Sequence, residues 1–172
     1  LVITDLDIKR SEQEKKDFVQ IDNLQTRTTT NNTIAKYNLT DDIASLTTSH
    51  FKNNNLYIAF QGDKIENFYA TSLEEAFILT NYDNDILNSA LSKTKRNTYL
   101  EILGEPKNKN NLVQKSYELQ NKLSESKSKF ANELLYQLSI NEDEEQLPKL
   151  PNYIENALEW LKTELGFTQD EE

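Results

Sequence analysis

Two aspartates separated by one residue are the part of this sequence best suited to chemistry. Asp5 and Asp7 follow the apolar, β-branched run Leu1–Thr4, which is typical of a buried parallel strand. As the strand breaks into a loop, both carboxylates can point toward one ligand. Hard divalent cations such as Mg²⁺ bind such oxygens, and α/β proteins place active sites beyond strand carboxyl ends. The pair predicts a metal site, although a strand running into a polar loop explains the spacing equally well.

The same pair suits a phosphatase in which Asp5 is the nucleophile, as in the haloacid-dehalogenase type. Those enzymes usually follow the second aspartate with Gly-Thr or a similar small pair, whereas Ile8, Lys9 and Arg10 stand here. The departure weakens this interpretation. Such a phosphatase would form an aspartyl-phosphate and would act on small phosphate esters but not on DNA.

Other candidate residues are weaker when each is considered alone. Glu74 and Glu75 stand in the first turn of a predicted helix, where the helix dipole alone favours an acid. Lys127 or Lys129 could stabilise charge that develops on a phosphate or a leaving oxygen, but most helical lysines are simply solvated. Asn31 lies in a polar stretch, where a turn residue is the simplest interpretation. His50 is the sole histidine, so Ser-His-Asp chemistry has little to work with.

The elements that must position these residues alternate between strands and helices. A second strand is predicted at Leu56–Gln61, and Ser72 can cap a helix in which Glu75 completes a capping box. Tyr153 and Trp160 are expected to anchor the last helix in the core. The other predicted helices are Asp41–Ser49 with Thr40 as its N-cap, Asp83–Ser92, Asn111–Ile140 (one helix, or two separated near Ser124–Ser128) and Tyr153–Leu165.

Composition excludes several classes of protein. The 172 residues include no cysteine, which excludes disulfides and thiolate metal sites and is compatible with the cytoplasm. No apolar run is long enough to span a membrane. The net charge of −10 argues against nucleic-acid binding, because phosphate contacts favour Lys and Arg. The segment Ser92–Lys129 is nevertheless rich in lysine, so a DNA-facing side is compatible with an acidic total.

Taken in order, five segments resemble the Toprim half of the OLD (overcoming lysogenization defect) family of nucleases, the group that includes the Gabija anti-phage nuclease. The resemblance runs from Leu1 to about Leu165. It covers an Asp-x-Asp strand, a Thr-Ser-Asn-like segment, a later acidic segment, a Lys-x-x-Phe-Ala motif and a Pro-x-Tyr-Ile ending. Those segments are here Leu1–Asp7, Thr29–Ile34, Ser72–Ile78, Lys127–Ala131 and Leu150–Leu161. Each motif is weak alone, but five in the right order are a strong signal.

This resemblance implies a two-metal phosphodiester hydrolase that uses Mg²⁺ or Mn²⁺. By position, Asp5 and Asp7 would hold metal, Glu74 would be the later acidic ligand, and Asp5 and Lys127 would be catalytic. Asn31 would lie near the site without an assigned role. The less favoured matches for the acid and the lysine are Glu75 and Lys129.

The implied fold is α/β and Toprim-like: a Rossmann-like, mostly parallel sheet that lacks its first strand, with C-terminal helical segments. Residues 1–100 would form the partial catalytic core, and residues 101–172 a helical portion that completes the Toprim region. The implied partners are DNA and an N-terminal ATPase domain of the same protein, through which ATP would act. A homodimer, a cytoplasmic location and a role in phage defence are further expectations from the family.

One departure keeps a second interpretation open. Toprim sites begin with a glutamate on a strand upstream of the Asp-x-Asp strand, and that glutamate would precede Leu1. Without it, the chain would bind metal weakly and cut DNA poorly. The alternative is a non-catalytic, Toprim-like module whose helices Asn111–Ile140 and Tyr153–Leu165 dimerise or dock a partner.

Overall fold

Short strands and many helices make up the architecture of the chain. A computed structural model describes residues 1–47, 56–141 and 143–166, so His50 lies outside the described residues. The strands β1 (Val2–Ile3) and β2 (Ile58–Ala59) pair in parallel, whereas β3 (Lys64–Ile65) and β4 (Phe68–Tyr69) pair antiparallel. The chain is therefore mixed α/β. Within the described residues, the mostly parallel sheet that was predicted is reduced to one parallel pair.

Helices account for most of the regular structure. Three short 3₁₀ turns lie between them, at Ile43–Ser45, Ser124–Ser126 and Glu144–Gln146. In the described parts of the chain the α-helices are α1 (Glu12–Lys16), α2 (Asn32–Asn38), α3 (Leu73–Thr80), α4 (Asp85–Thr94), α5 (Arg96–Leu103), α6 (Asn110–Gln114), α7 (Ser116–Leu123), α8 (Lys127–Ile140) and α9 (Asn152–Glu164). None of the described helices is long and apolar enough to cross a membrane.

Most predicted elements are confirmed, with corrections at their ends. The predicted helix Asp41–Ser49 was wrong in its described part, which holds only the 3₁₀ turn Ile43–Ser45, and residues 48 and 49 lie outside the described residues. The predicted helix 111–140 is divided twice, once at Lys115 and again at the 3₁₀ turn Ser124–Ser126, which confirms the alternative with a break there. Thr40 was wrong as an N-cap, because Asp42 caps the 3₁₀ turn Ile43–Ser45 through its own carboxylate. Helices α2 and α5 were not predicted.

Among the described residues, three buried clusters form the core. One lies among the helices and includes Ile78, Leu87 and Phe130, so it joins residues from both sides of position 100. A second surrounds the parallel strands and contains Leu6, which is fully buried. The third packs β2 against α3 and α9 and contains Tyr153. The end of β1 is thus enclosed by elements that come from distant parts of the sequence.

An ion pair ties the short helix α1 to the segment that precedes α2. Arg27 Nη2 lies 2.6 Å from Glu14 Oε1, and both side chains are about three-quarters buried. The hydrogen bond from Arg27, followed by that from the backbone N–H of Ser11, lowers the pKa of Glu14 to about 2. Because the folded pKa lies below the ordinary value, the ionised carboxylate stabilises the folded chain at neutral pH.

We expect Glu14→Gln to lower the free energy of unfolding by about 0.5–1 kcal/mol at pH 7, as partly exposed ion pairs usually do. This difference from the unsubstituted chain should shrink as the pH falls from 4.5 toward about 2, where Glu14 becomes protonated in both states. Urea denaturation at several pH values measures it. Glu12→Gln, which removes an exposed carboxylate from the same helix, is the matched control and should have no measurable effect. A difference for Glu14→Gln that stays constant at low pH would contradict the assignment.

Candidate active site

The chain leaves β1 through Asp5-Leu6-Asp7, and this turn separates the three side chains. Leu6 is buried in the core, whereas Asp5 is partly buried and Asp7 is exposed. Asp7 has a φ of 50°, a left-handed conformation that aspartate adopts more readily than most residues. Its carbonyl accepts hydrogen bonds from the backbone N–H and the hydroxyl of Thr30, at 2.9 and 3.1 Å. The backbone of the turn is therefore held by the neighbouring segment.

The carboxylate of Asp5 is oriented by two donors. Its Oδ1 accepts a hydrogen bond from the backbone N–H of Leu73 at 2.8 Å and another from Gln61 Nε2 at 2.9 Å. Leu73 is the first residue of α3, so the helix N-terminus also stabilises the negative charge. Both donors contact the same oxygen, which fixes the rotamer of Asp5.

Gln61 lies at the centre of this arrangement, although no site role was predicted for it from the sequence. Its side chain is only 2% exposed. Its Oε1 accepts from the backbone N–H of Leu6 at 2.7 Å, and its Nε2 also donates to the hydroxyl of Tyr153 at 3.2 Å. Burial, followed by the charge of Asp5, raises the pKa of Tyr153 to about 12, so the phenol stays neutral. A polar residue ending the apolar run Leu56–Gln61 was the available signal.

Asn31 fastens the next segment to the end of β1. Its Oδ1 caps α2 by accepting from the N–H groups of Thr33 and Ile34, at 2.9 and 3.2 Å. Its Nδ2 donates to Thr4 Oγ1 at 2.9 Å and to the carbonyl of Asp5 at 2.7 Å. Asn31 is therefore a positioning residue for the aspartates, not a simple turn residue.

Glu74 and Lys127 form an ion pair at the entrance to α8. Their Oε1 and Nζ atoms lie 2.9 Å apart. Burial, the largest influence, raises the pKa of Glu74, but the hydrogen bonds from Lys127 and from the backbone outweigh it and hold that pKa below its usual value. The second oxygen, Oε2, is buried without a hydrogen-bond partner. Glu74 thus keeps one unused acceptor.

Glu75 has a different environment, although it is the next residue. It is 1% exposed; its Oε2 accepts from the N–H and the hydroxyl of Thr71, both at 2.8 Å, and its Oε1 accepts from Ser116 at 3.0 Å. The predicted capping box is therefore half wrong. Ser72 does accept from the N–H of Glu75, but the Glu75 side chain bonds Thr71 instead of closing the box on Ser72, because it turns inward. Burial raises the pKa of Glu75.

Asp5, Asp7 and Lys127 line one open cavity of about 260 Å³. Although Asp7 is exposed as a residue, partial burial of its carboxyl group raises its pKa, and the nearby charge of Asp5 raises it further. Asn31 and Lys127 oppose that shift. A cavity in which a neighbouring carboxylate disfavours ionisation of Asp7 favours an added cation.

The predicted site residues are only partly brought together. Asp5, Asp7 and Lys127 share the cavity, and Glu74 joins them through its ion pair with Lys127. Lys129 donates instead to the carbonyl of Thr94 at 3.2 Å. In the described ranges, no group of three Asp, Glu, His or Cys side chains is placed to hold a metal ion. The oxygen donors of Asp5 and Asp7 and the unpartnered oxygen of Glu74 nevertheless suit a hard divalent cation in chemical type.

Comparison with known proteins identifies a similar sequence. The chain is 54% identical over 168 residues to Endonuclease GajA of Bacillus cereus (strain HuB5-5), an alignment that covers 96% of this chain. The chain spans about a quarter, 24%, of the length of that curated relative. No family model matches the chain, and no solved structure matches it. Nearly the whole of this chain is therefore similar to one part of an endonuclease.

Proposed function

We propose that this chain is the nuclease module of a divalent-metal-dependent DNA endonuclease of the OLD family, with a Toprim-like site. The observation that carries the proposal is the single cavity lined by Asp5, Asp7 and Lys127. The similarity to Endonuclease GajA supports the same activity. Cleavage would nick one strand or break both. An ATPase domain of the same protein would make cleavage responsive to ATP. We also propose that the protein forms a homodimer.

Within this proposal, Asp5, Asp7 and Glu74 hold Mg²⁺ or Mn²⁺ through carboxylate oxygens. Two such ions would supply Lewis acidity for activating a water and for stabilising the leaving oxygen of an in-line displacement. The chain's own part is to hold the ligands in place. The hydrogen bonds from Gln61 and Leu73 occupy Oδ1 of Asp5, so its rotamer is set before a cation arrives.

Lys127 supplies positive charge to the phosphate as negative charge develops on it. Its Nζ lies 2.9 Å from Glu74, and that ion pair places the ammonium group at the cavity that holds both aspartates. Because Lys127 is the first residue of α8, its backbone is fixed by the helix that packs on α4. A lysine so placed neutralises part of the repulsion that a phosphodiester would meet from the acidic residues.

Asp5→Asn and Lys127→Ala should each lower metal-dependent nicking of supercoiled plasmid at least about 100-fold, because the first weakens the proposed metal site and the second removes positive charge that would stabilise the transition state. The assay compares the protein with each variant in Mn²⁺ or Mg²⁺ and resolves nicked from linear plasmid. Lys129→Ala is the matched control for Lys127, because Lys129 bonds a carbonyl of α4, and it should retain activity.

Glu74→Gln and Glu75→Gln make a second matched pair. The first should reduce nicking with little change in stability, whereas the second should chiefly destabilise the fold, because its partners Thr71 and Ser116 are buried.

Nicking that survives both Asp5→Asn and Lys127→Ala would place the chemistry elsewhere. Hydrolysis of p-nitrophenyl phosphate without any cleavage of DNA would favour the phosphatase with Asp5 as nucleophile.

Gln61→Leu tests whether the orientation of Asp5 matters. The variant removes the donor to Asp5 and leaves the buried N–H of Leu6 without an acceptor. We expect the affinity for Mn²⁺, measured by isothermal titration calorimetry, to fall roughly 10- to 100-fold, as is usual when a residue that orients a metal ligand is lost. Tyr153→Phe removes only an acceptor of Gln61 and should have a much smaller effect. Equal Mn²⁺ affinity in Gln61→Leu and the unsubstituted protein would refute the positioning role.

A further inference from the structure

Arg10 is a buried arginine with unmet hydrogen-bonding capacity. Its residue is 8% exposed, and its guanidinium carbon lies 3.6 Å from the centre of the Tyr117 ring. Nη1 donates to the carbonyl of Val19. Nε and Nη2 are both buried and have no hydrogen-bond partner. One edge of the guanidinium is thus anchored, and the other edge is left without an acceptor.

A buried arginine whose donors have no acceptors destabilises the folded chain unless a ligand supplies those acceptors. Arginine stays charged at neutral pH, and a buried donor without an acceptor loses the hydration that it has in the unfolded chain. Burial lowers the pKa of Arg10, while the nearby carboxyl groups of Glu75 and Glu14 oppose that shift. Within the described residues, no carboxylate forms a salt bridge with Arg10. Its charge is therefore balanced only at a distance.

The position of Arg10 indicates what the acceptor is. Arg10 lines the same cavity as Asp5, Asp7 and Lys127, and Lys15 lines it as well. The lining therefore combines carboxylates, which suit cations, with Arg10 and lysines, which suit an anion. Nε and Nη2 lie on one edge of the planar guanidinium, and their parallel N–H bonds match two oxygens of one phosphate group.

We propose that Arg10 is a phosphate-binding residue that donates from Nε and Nη2 to two non-bridging oxygens of a phosphodiester group in this cavity. The proposal rests on the proposed nuclease function for the identity of the ligand as a nucleic-acid backbone. The stacking of the guanidinium on Tyr117 and its bond to Val19 hold the fork in place before the ligand arrives. Such preorganisation lowers the entropic cost of binding.

The direct test observes the arginine side chains themselves. The chain has three arginines, Arg10, Arg27 and Arg96, so its ¹⁵N–¹H spectrum contains three Nε–Hε signals. Titration with inorganic phosphate should shift the Arg10 signal and leave those of Arg27 and Arg96 in place, whereas sodium chloride at equal ionic strength should shift none. The substitutions Arg27→Lys and Arg96→Lys assign the signals by elimination, so the test does not depend on a folded Arg10 variant. An unmoved Arg10 signal at saturating phosphate would overturn the proposal.

A second measurement separates this proposal from the proposed function. Arg10→Lys keeps the charge but loses the two-pronged fork, and it should weaken binding of a fluorescein-labelled 20-base-pair DNA duplex in Ca²⁺ roughly 10- to 100-fold. Arg27→Lys is the control and should bind as the unsubstituted protein does. If phosphate shifts Arg10 but the protein cuts no DNA, the phosphate site stands and the nuclease proposal fails. If DNA is cut and bound equally well by Arg10→Lys, the phosphate site fails and the nuclease proposal stands.

Discussion

A single carboxylate oxygen, Oδ1 of Asp5, accepts hydrogen bonds from two residues that both lie far from Asp5 in the sequence. Gln61 donates from the end of β2, and the backbone N–H of Leu73 donates from the start of α3. Since Gln61 also accepts from the N–H of Leu6, this restraint joins β1, β2 and α3 at one point. Asp5, which lines the cavity, is held at that junction, and Glu74, which pairs with Lys127, is the next residue after Leu73.

Charge balance explains the rest of the arrangement. Burial, followed by the nearby charge of Asp5, raises the pKa of Asp7, and the charge of Lys127 opposes that shift, while the buried Arg10 lines the same cavity. Lys127 is itself paired with Glu74. A bound cation would balance the charge of the carboxylates, and a bound phosphodiester would supply acceptors to Arg10. Both together would satisfy these groups better than either could alone. The net charge of −10 is thus compatible with a nucleic-acid enzyme, because Arg10, Lys15 and Lys127 all line one cavity.

Local pattern predicted the acidic turn well and the long-range contacts poorly. The apolar run before Asp5 and the acid pair itself are visible in seven residues. Glu74 was preferred to Glu75 from the family resemblance, and the choice stays a prediction, although Glu74 is the carboxylate that pairs with Lys127. For Gln61 the local pattern offered only a polar residue at the end of an apolar run, and for Arg10 it offered no signal. Their importance comes from partners that lie dozens of residues away, such as Leu6 for Gln61 and Tyr117 for Arg10. Helix α5 was not predicted, because its apolar residues are buried only by packing against α4, α6 and α7.

The most direct test of the central claim is anomalous diffraction from crystals of the protein grown with Mn²⁺. The account predicts a manganese peak in the cavity, in contact with the carboxylates of Asp5 and Asp7. A cavity without manganese, at a concentration of Mn²⁺ that supports cleavage of DNA by the same protein, would contradict the account.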